Sequence, residues 1–275
     1  MTDREALFAA VVAEPDDDLP RLVFADYLDD TGVPADAARA AYIRTQLEAE
    51  KHAPRSAGRL ECNRQAAEFR DRFKDEWDLE FADPIEWFGF TALRRRGFVE
   101  EVAGTLGRVN MVGIRMFACA PISGLRVTDA RPDDPPAWQR FRTLPFLSRV
   151  RSLTLGPYLP GFYPPRPPNP GDGDGVVTEA LLRSTTLTRL RSLALPNNAL
   201  DDAWVLRFAV RFASAPFAST LEALDLSHNP ITDAGANALA TAPGLERLQE
   251  LILTGTRIAT ATPMLRRRFG PRVRV

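Results

Sequence analysis

Leucine alternates with other residues in four short stretches of the C-terminal half: VRSLTLG at 150–156, LRSLALPNNAL at 190–200, LEALDLSHNPI at 221–231 and LQELILTGTRI at 248–258. Alternation of this kind predicts short strands, with Leu153, Leu193, Leu224 and Leu251 on one face and their neighbours on the other. These leucines lie 40, 31 and 27 residues apart. A weaker copy, ISGLRVT at 122–128, places Leu125 28 residues before Leu153, and GFVEEV at 97–102 reads as an earlier, degenerate strand. Between the strands the apolar spacing changes to three and four. Trp204, Val205, Phe208 and Phe212 predict one helix, and Ala234, Ala238 and Leu239 predict the next.

The first ninety residues follow the helical period instead. Thr2 and Glu5 have the spacing of a capping box, ahead of an apolar stripe of Leu7, Phe8, Val11 and Val12. After Asp16, Asp17 and Asp18, Pro20 suits the first turn of a second helix, with Leu22, Val23, Tyr27 and Leu28 expected inside. Gly32 and Pro34 close it, and a third helix should turn Ala38, Ala41, Tyr42 and Leu47 inward. Residues 48–76 are polar and largely helical, with a break near Pro54 to Gly58. Phe69, Phe73, Trp77 and Phe81 then recur every four residues, the spacing of a packing stripe.

A recurrence near 28 residues with the form L-x-x-L-x-L-x-x-N-x-I/L is the leucine-rich-repeat signature. The fold class it implies is α/β: a curved parallel sheet with helices on the convex side, preceded by a small helical module. Asn198 and Asn229 should turn inward where their strands end and bond the backbone of adjacent loops, which are otherwise left with buried polar groups. Thr256 takes that place in the last full copy, so the ladder should weaken there. The long interval holds LPGFYPPRPPNPGDGDGV, residues 159–176, whose prolines and glycines make it a loop inserted into one repeat.

Composition narrows the function classes. The 275 residues are 45% hydrophobic and 26% charged, enough apolar material for a continuous core. The formal net charge is −1, from 35 basic and 36 acidic residues, so no global field favours nucleic acid or anionic lipid. The ends differ sharply: residues 1–50 carry 4 basic and 12 acidic residues (net −8), and residues 243–275 carry 7 and 2 (net +5). Two cysteines, Cys62 and Cys119, exclude a disulfide-dense scaffold and a four-cysteine zinc site. No apolar run approaches the roughly 20 residues of a membrane span, and the acidic N-terminus lacks a signal peptide's basic region, so a cytoplasmic location is expected.

The front end resembles the bacterial repeat-companion domain, a short module found before leucine-rich repeats in large paralogous families. The resemblance rests on PDDDLPRLVFADYLDDTGVPADAARAAYIRTQ at 15–46. It extends through Glu76-Trp77, the RRGFVEEV segment at 95–102, and the repeats to the closing RRRFGPRVRV. It implies a repeat protein with an N-terminal module of about residues 1–50 plus connecting helices to 90, then repeats with a C-terminal cap over 91–275. It brings no catalytic residue and no cofactor.

Catalysis finds little support. The chain offers two histidines, His52 and His228, and no Gly-rich phosphate loop, H-E-x-x-H or G-x-S-x-G motif. The aspartates Asp16, Asp17, Asp18, Asp26, Asp29 and Asp30 lack the glycine and the twelfth-position glutamate of a calcium loop, and Asp201-Asp202 fits a helix start. Arg266, Arg267, Arg268, Arg272 and Arg274 could hold a polyanion such as nucleic acid. However, Val273 and Val275 alternate with the last of them as a closing strand should. The expected function is therefore noncatalytic binding of a protein or peptide on the concave face, with polyanion binding through the C-terminal arginines or a purely structural role as the alternatives. Its candidate surface is Arg126, Thr154, Ala194, Asp225, Ile252 and Glu250, with Phe162 and Tyr163 of the inserted loop.

Overall fold

In a computed structural model of the chain, residues 1–81, 89–130, 134–156 and 175–275 are described, at 74, 75 and 78–81 by their backbone alone. Residues 157–174, with Phe162, Tyr163 and Arg166 of the inserted loop, and the side chain of Phe81 lie outside the described residues, while Val176, expected at the loop's end, already begins a helix. The chain divides into two compact units, one of residues 1–102 with 115–123 and one of 103–114 with 124–275.

The first unit is built on four helices: α1 (Asp3–Ala13), α2 (Leu19–Asp30), α3 (Pro34–Lys51) and α4 (Ala57–Phe81). The strand β1 (Thr91–Arg95) follows, and then β2 (Phe98–Gly104), whose residues to Val102 belong to this unit together with residues 115–123. Thr2 and Glu5 form the predicted capping box. Val11, Phe24, Ala25, Leu28, Ala40, Ile43, Leu47 and Phe98 make one core, edged by Leu7, Phe8 and Tyr27. Tyr42, Ala38, Ala66 and Trp77 make a second, with Phe69 and Phe73 against it. The aromatic stripe of α4 thus packs on α3, where the Trp77 indole donates to the Ala35 carbonyl at 2.9 Å.

The orientation of α2 differs from the sequence expectation. Leu22 and Val23 are exposed, Tyr27 is half-buried, and only Leu28 of the expected four is inside. In their place the helix buries Arg21, which is 0% exposed. Its guanidinium donates to the carbonyls of Pro15 (3.0 Å) and Asp17 (2.6 Å) and to the Glu100 carboxylate (2.6 Å). Arg96 reaches the same carboxylate at 2.8 Å. Burial opposes both partners, lowering the Arg21 pKa and raising that of Glu100, so the network contributes geometry more than stability. Arg39 is a second inward arginine, set over the rings of Tyr42, Trp77 and Phe98 and bonded to the Gly97 carbonyl at 2.6 Å. Gly97 itself has φ +88°, and a Cβ there would meet Ile43 Cγ1 at 2.5 Å, so both the turn and its packing require glycine.

The second unit alternates strand and helix. After part of α5 (Leu106–Cys119) come β3 (Gly124–Val127), α6 (Pro135–Phe141), a 3-10 turn at Pro145–Arg149, β4 (Ser152–Leu155) and α7 (Val176–Leu182). Then follow β5 (Ser192–Ala194), α8 (Asp202–Phe212), β6 (Ala223–Asp225), α9 (Asp233–Thr241), β7 (Glu250–Ile252), α10 (Thr262–Phe269) and β8 (Val273–Arg274). Strands β3 to β8 pair in chain order, each parallel to the next, in an open sheet. Leu125, Leu153, Leu193, Leu224, Leu251 and Val273 stand in one register row, none more than 3% exposed. A second buried row follows two residues on, with Val127, Leu155, Leu195, Leu226 and Leu253. Helices α7 to α10 pack each on the next. The α8 face of Trp204, Val205, Phe208 and Phe212 is buried as its period predicts, with Trp204 stacked on Phe208 at 5.0 Å. Helix α9 is rotated from its prediction: Leu239 is buried, but Gly235 and Ala236 face inward where Ala234 and Ala238 were expected. The architecture is an α/β repeat with a sequential, open sheet, in the manner of a solenoid.

Candidate functional site

Outward positions on β3 to β8 form a continuous surface because strands β3 to β7 begin in register with one another and β8 joins one residue later. Arg126, Thr154, Ala194, Asp225, Ile252 and Arg274 are successive partners across the sheet, so five of the candidate residues share one row. Arg126 is exposed; Thr154, Ala194, Asp225 and Ile252 are half-buried between their strand neighbours. Side chains alternate inward and outward along each strand, so two residues earlier Ser152, Ser192, Ala223 and Glu250 form the next outward row. Small side chains dominate the middle of this surface, while charge gathers at its β6–β8 end. There Arg274 bonds Glu250 at 2.6 Å and Asp225 accepts from the Ser227 amide at 2.8 Å.

Two polar ladders fix the loops beside this surface. Asn229, 1% exposed, donates its amide to the carbonyls of Leu195 (2.9 Å), Leu226 (2.9 Å) and Ser227 (3.1 Å). Its oxygen accepts from the amides of Asn198 (2.9 Å) and Leu200 (3.0 Å). Asn198 repeats the device one strand earlier, donating to Leu155 and Pro196. The predicted inward asparagines are therefore present. Thr256 donates through Oγ1 to the Leu253 carbonyl of its own turn at 2.6 Å, and among the described residues its side chain makes no rung to the preceding repeat.

The second ladder is one that the sequence reading missed. Asp201 caps α8 as expected, accepting from the Trp204 amide, but Asp202 reaches into the next repeat. Its carboxylate accepts from the Thr232 amide (2.8 Å) and hydroxyl (2.6 Å) and from the Gly235 amide (3.0 Å). Asp233 does the same one repeat later, with the amides of Ala259, Thr260 and Ala261 and the Thr260 hydroxyl. The Ala261 amide, then the Thr260 hydroxyl and amide, hold the Asp233 pKa down at about 2. The signal was in the spacing: Asp202 and Asp233 each stand four residues after a ladder asparagine.

The remaining candidates are placed as follows. His228 is exposed in a left-handed turn (φ +56°), its amide bonded to the Thr254 carbonyl at 2.8 Å. His52 ends α3, 3.9 Å from Glu48. Arg44 bonds both Asp26 and Asp29 at 2.6 Å, and Asp18 pairs with Arg96 at 2.9 Å. Among the described residues no three His, Cys, Asp or Glu side chains gather as a metal site. Of the C-terminal arginines, Arg268 donates to the carbonyls of Leu239 and Ala242 and Arg274 to Glu250, whereas Arg266 and Arg267 are exposed. Among the described residues no helix is long and apolar enough to cross a membrane.

A search of curated proteins finds no match to this chain. Residues 218–240, the turn into β6, β6 itself and most of α9, match the family model described as Leucine Rich repeat, and this stretch contains both Asn229 and Asp233.

Proposed function

We propose that this chain is a noncatalytic leucine-rich-repeat scaffold that binds a protein or peptide across the outward face of its sheet. Residues 91–275 would form the curved repeat array, and the helical region to about residue 90 would carry the repeat-companion module. The observation that carries the proposal is the register row from Arg126 to Ile252, uninterrupted over five strands and held by ladders on its flanking loops. A rigid surface binds without the ordering cost that a mobile one incurs. Phe162 and Tyr163 of the inserted loop are proposed to add aromatic contacts beside it.

The test is affinity capture from a lysate of the source organism, with nuclease treatment and at two salt concentrations. A protein retained by the wild type and weakened at least about tenfold by Asp225→Arg with Ile252→Glu supports the concave site, provided that the double variant keeps the wild-type melting curve. Retention that survives this change but disappears with nuclease, or with Arg266 and Arg267 replaced by glutamate, would overturn it in favour of polyanion binding.

A further inference from the structure

The rotation of α2 leaves an unusual surface. Its outward face carries Leu19 (63% exposed), Leu22 (39%) and Val23 (42%) at successive helical neighbours, while the inward face spends a position on Arg21. Isolated exposed aliphatics are ordinary, but three together on one helix face form a small patch. This patch is framed by carboxylates: Asp16, Asp17 and Asp18 at the start of the helix, and Asp26, Asp29 and Asp30 on its later turns. Arg44 pairs with Asp26 and Asp29 and Arg96 with Asp18, and residues 1–50 as a whole carry a net charge of −8, so this segment stays acidic. An apolar centre inside an acidic frame fits a basic helix that also exposes an apolar residue.

The chain itself contains such a helix. On α10, Arg266 and Arg267 are exposed and Met264 is 37% exposed, with Leu265 and Phe269 buried beneath. Arg268 is held to the carbonyls of Leu239 and Ala242, and the helix is anchored through it. The two surfaces mirror the charge of their segments, −8 over residues 1–50 and +5 over 243–275. Arginine and methionine are also among the side chains that interfaces favour. We propose that the outward face of α2 docks the α10 face of a second copy of this chain, with Leu19, Leu22 and Val23 against Met264 and the aspartates against Arg266 and Arg267. The contact uses two different surfaces, so each copy has one of each free, and assembly proceeds head to tail into chains or closed rings.

Complementation tests this geometry directly. The purified full chain is measured by sedimentation and light scattering as a function of concentration, at low salt and at about 0.5 M salt, where the Debye length falls to a few ångströms. Wild type should rise above the 30.5 kDa monomer at low salt, with association weakened about tenfold or more by the added salt. Leu22→Lys with Val23→Lys, and separately Arg266→Glu with Arg267→Glu, should each be monomeric. An equimolar mixture of the two variants should form a dimer and nothing larger, because one intact α10 face meets one intact α2 face. Should the lysine pair disturb α2, Asp30→Lys reads the electrostatic half alone and should reduce association with the helix signal unchanged. A monomeric wild type at low salt, self-association indifferent to these changes, or a mixture that stays monomeric would each overturn the proposal.

Discussion

Replacing Asn229 with alanine isolates the device that joins one repeat to the next. The side chain makes five hydrogen bonds at 2.9–3.1 Å, three as donor and two as acceptor. Alanine removes them all and leaves the amides of Asn198 and Leu200 without their bond to the asparagine oxygen. Two such amides cost about 1–2 kcal/mol each, and the three carbonyls add somewhat less because each has further acceptor capacity, for a total of about 3–5 kcal/mol. Asn198→Ala is the internal control. Its amide makes two bonds in a half-buried turn that water can enter, so about 1 kcal/mol is expected. Asn229→Asp, nearly identical in shape, keeps an acceptor but sets a carboxylate against three carbonyls and should be at least as harmful as alanine. Urea unfolding followed by circular dichroism reads all three, as shifts in midpoint at constant slope. An Asn229→Ala cost below about 1 kcal/mol, or one no larger than that of Asn198→Ala, would refute the claim that this buried amide joins the repeats.

Three further outcomes are expected. Asp233 has its pKa lowered to about 2, so its contribution to stability is present above the ordinary aspartate range near 4 and is lost as pH falls through about 2. The melting-temperature gap between wild type and Asp233→Asn should therefore be constant at neutral pH and close between about pH 4 and 2; a gap that widened with acid would contradict the assignment. Leu224→Ala, in the middle of the buried row and 1% exposed, should destabilise by about 2–5 kcal/mol in the same unfolding assay, and a cost under 1 would mean that the row is not a packed core. Arg21→Met should destabilise by about 1–3 kcal/mol, because the Asp17 carbonyl loses its guanidinium bond while Glu100 and the Pro15 carbonyl keep Arg96, and Arg21→Lys should recover only part of this, since an ammonium cannot copy the guanidinium fork.

What the sequence made legible follows from how local each determinant is. Leu153, Leu193, Leu224 and Leu251 announce their strands because a two-residue period with one large apolar position has a single way to face a core, and their row is found as expected. The ladder asparagines are legible for the same reason, as a fixed offset from that row. Helix α2 was not, because its rotation is decided by a partner 79 residues away: once Glu100 holds Arg21 inside, Leu22 and Val23 must face out. Helix α9 offers only glycine and alanine on most of its faces, so periodicity cannot choose between them. The choice is made by Asp202, which bonds the Gly235 amide so closely that a Cβ there would stand 2.5 Å from its oxygen. Both exceptions involve a charged side chain, Arg21 fully buried and Asp202 half-buried, whose bonds to a distant segment set the rotation of a helix. Outward positions of the sheet are legible in the opposite sense: alternation locates Thr154, Ala194, Asp225 and Ile252 without constraining what they are, since among the described residues they are only half-buried. Their chemistry is thus left open to a partner, and the two charged rungs at the β6–β8 end, Glu250 with Arg274 and Asp225 at its turn, are where a partner's polar groups would first have to compete with bonds the protein already makes.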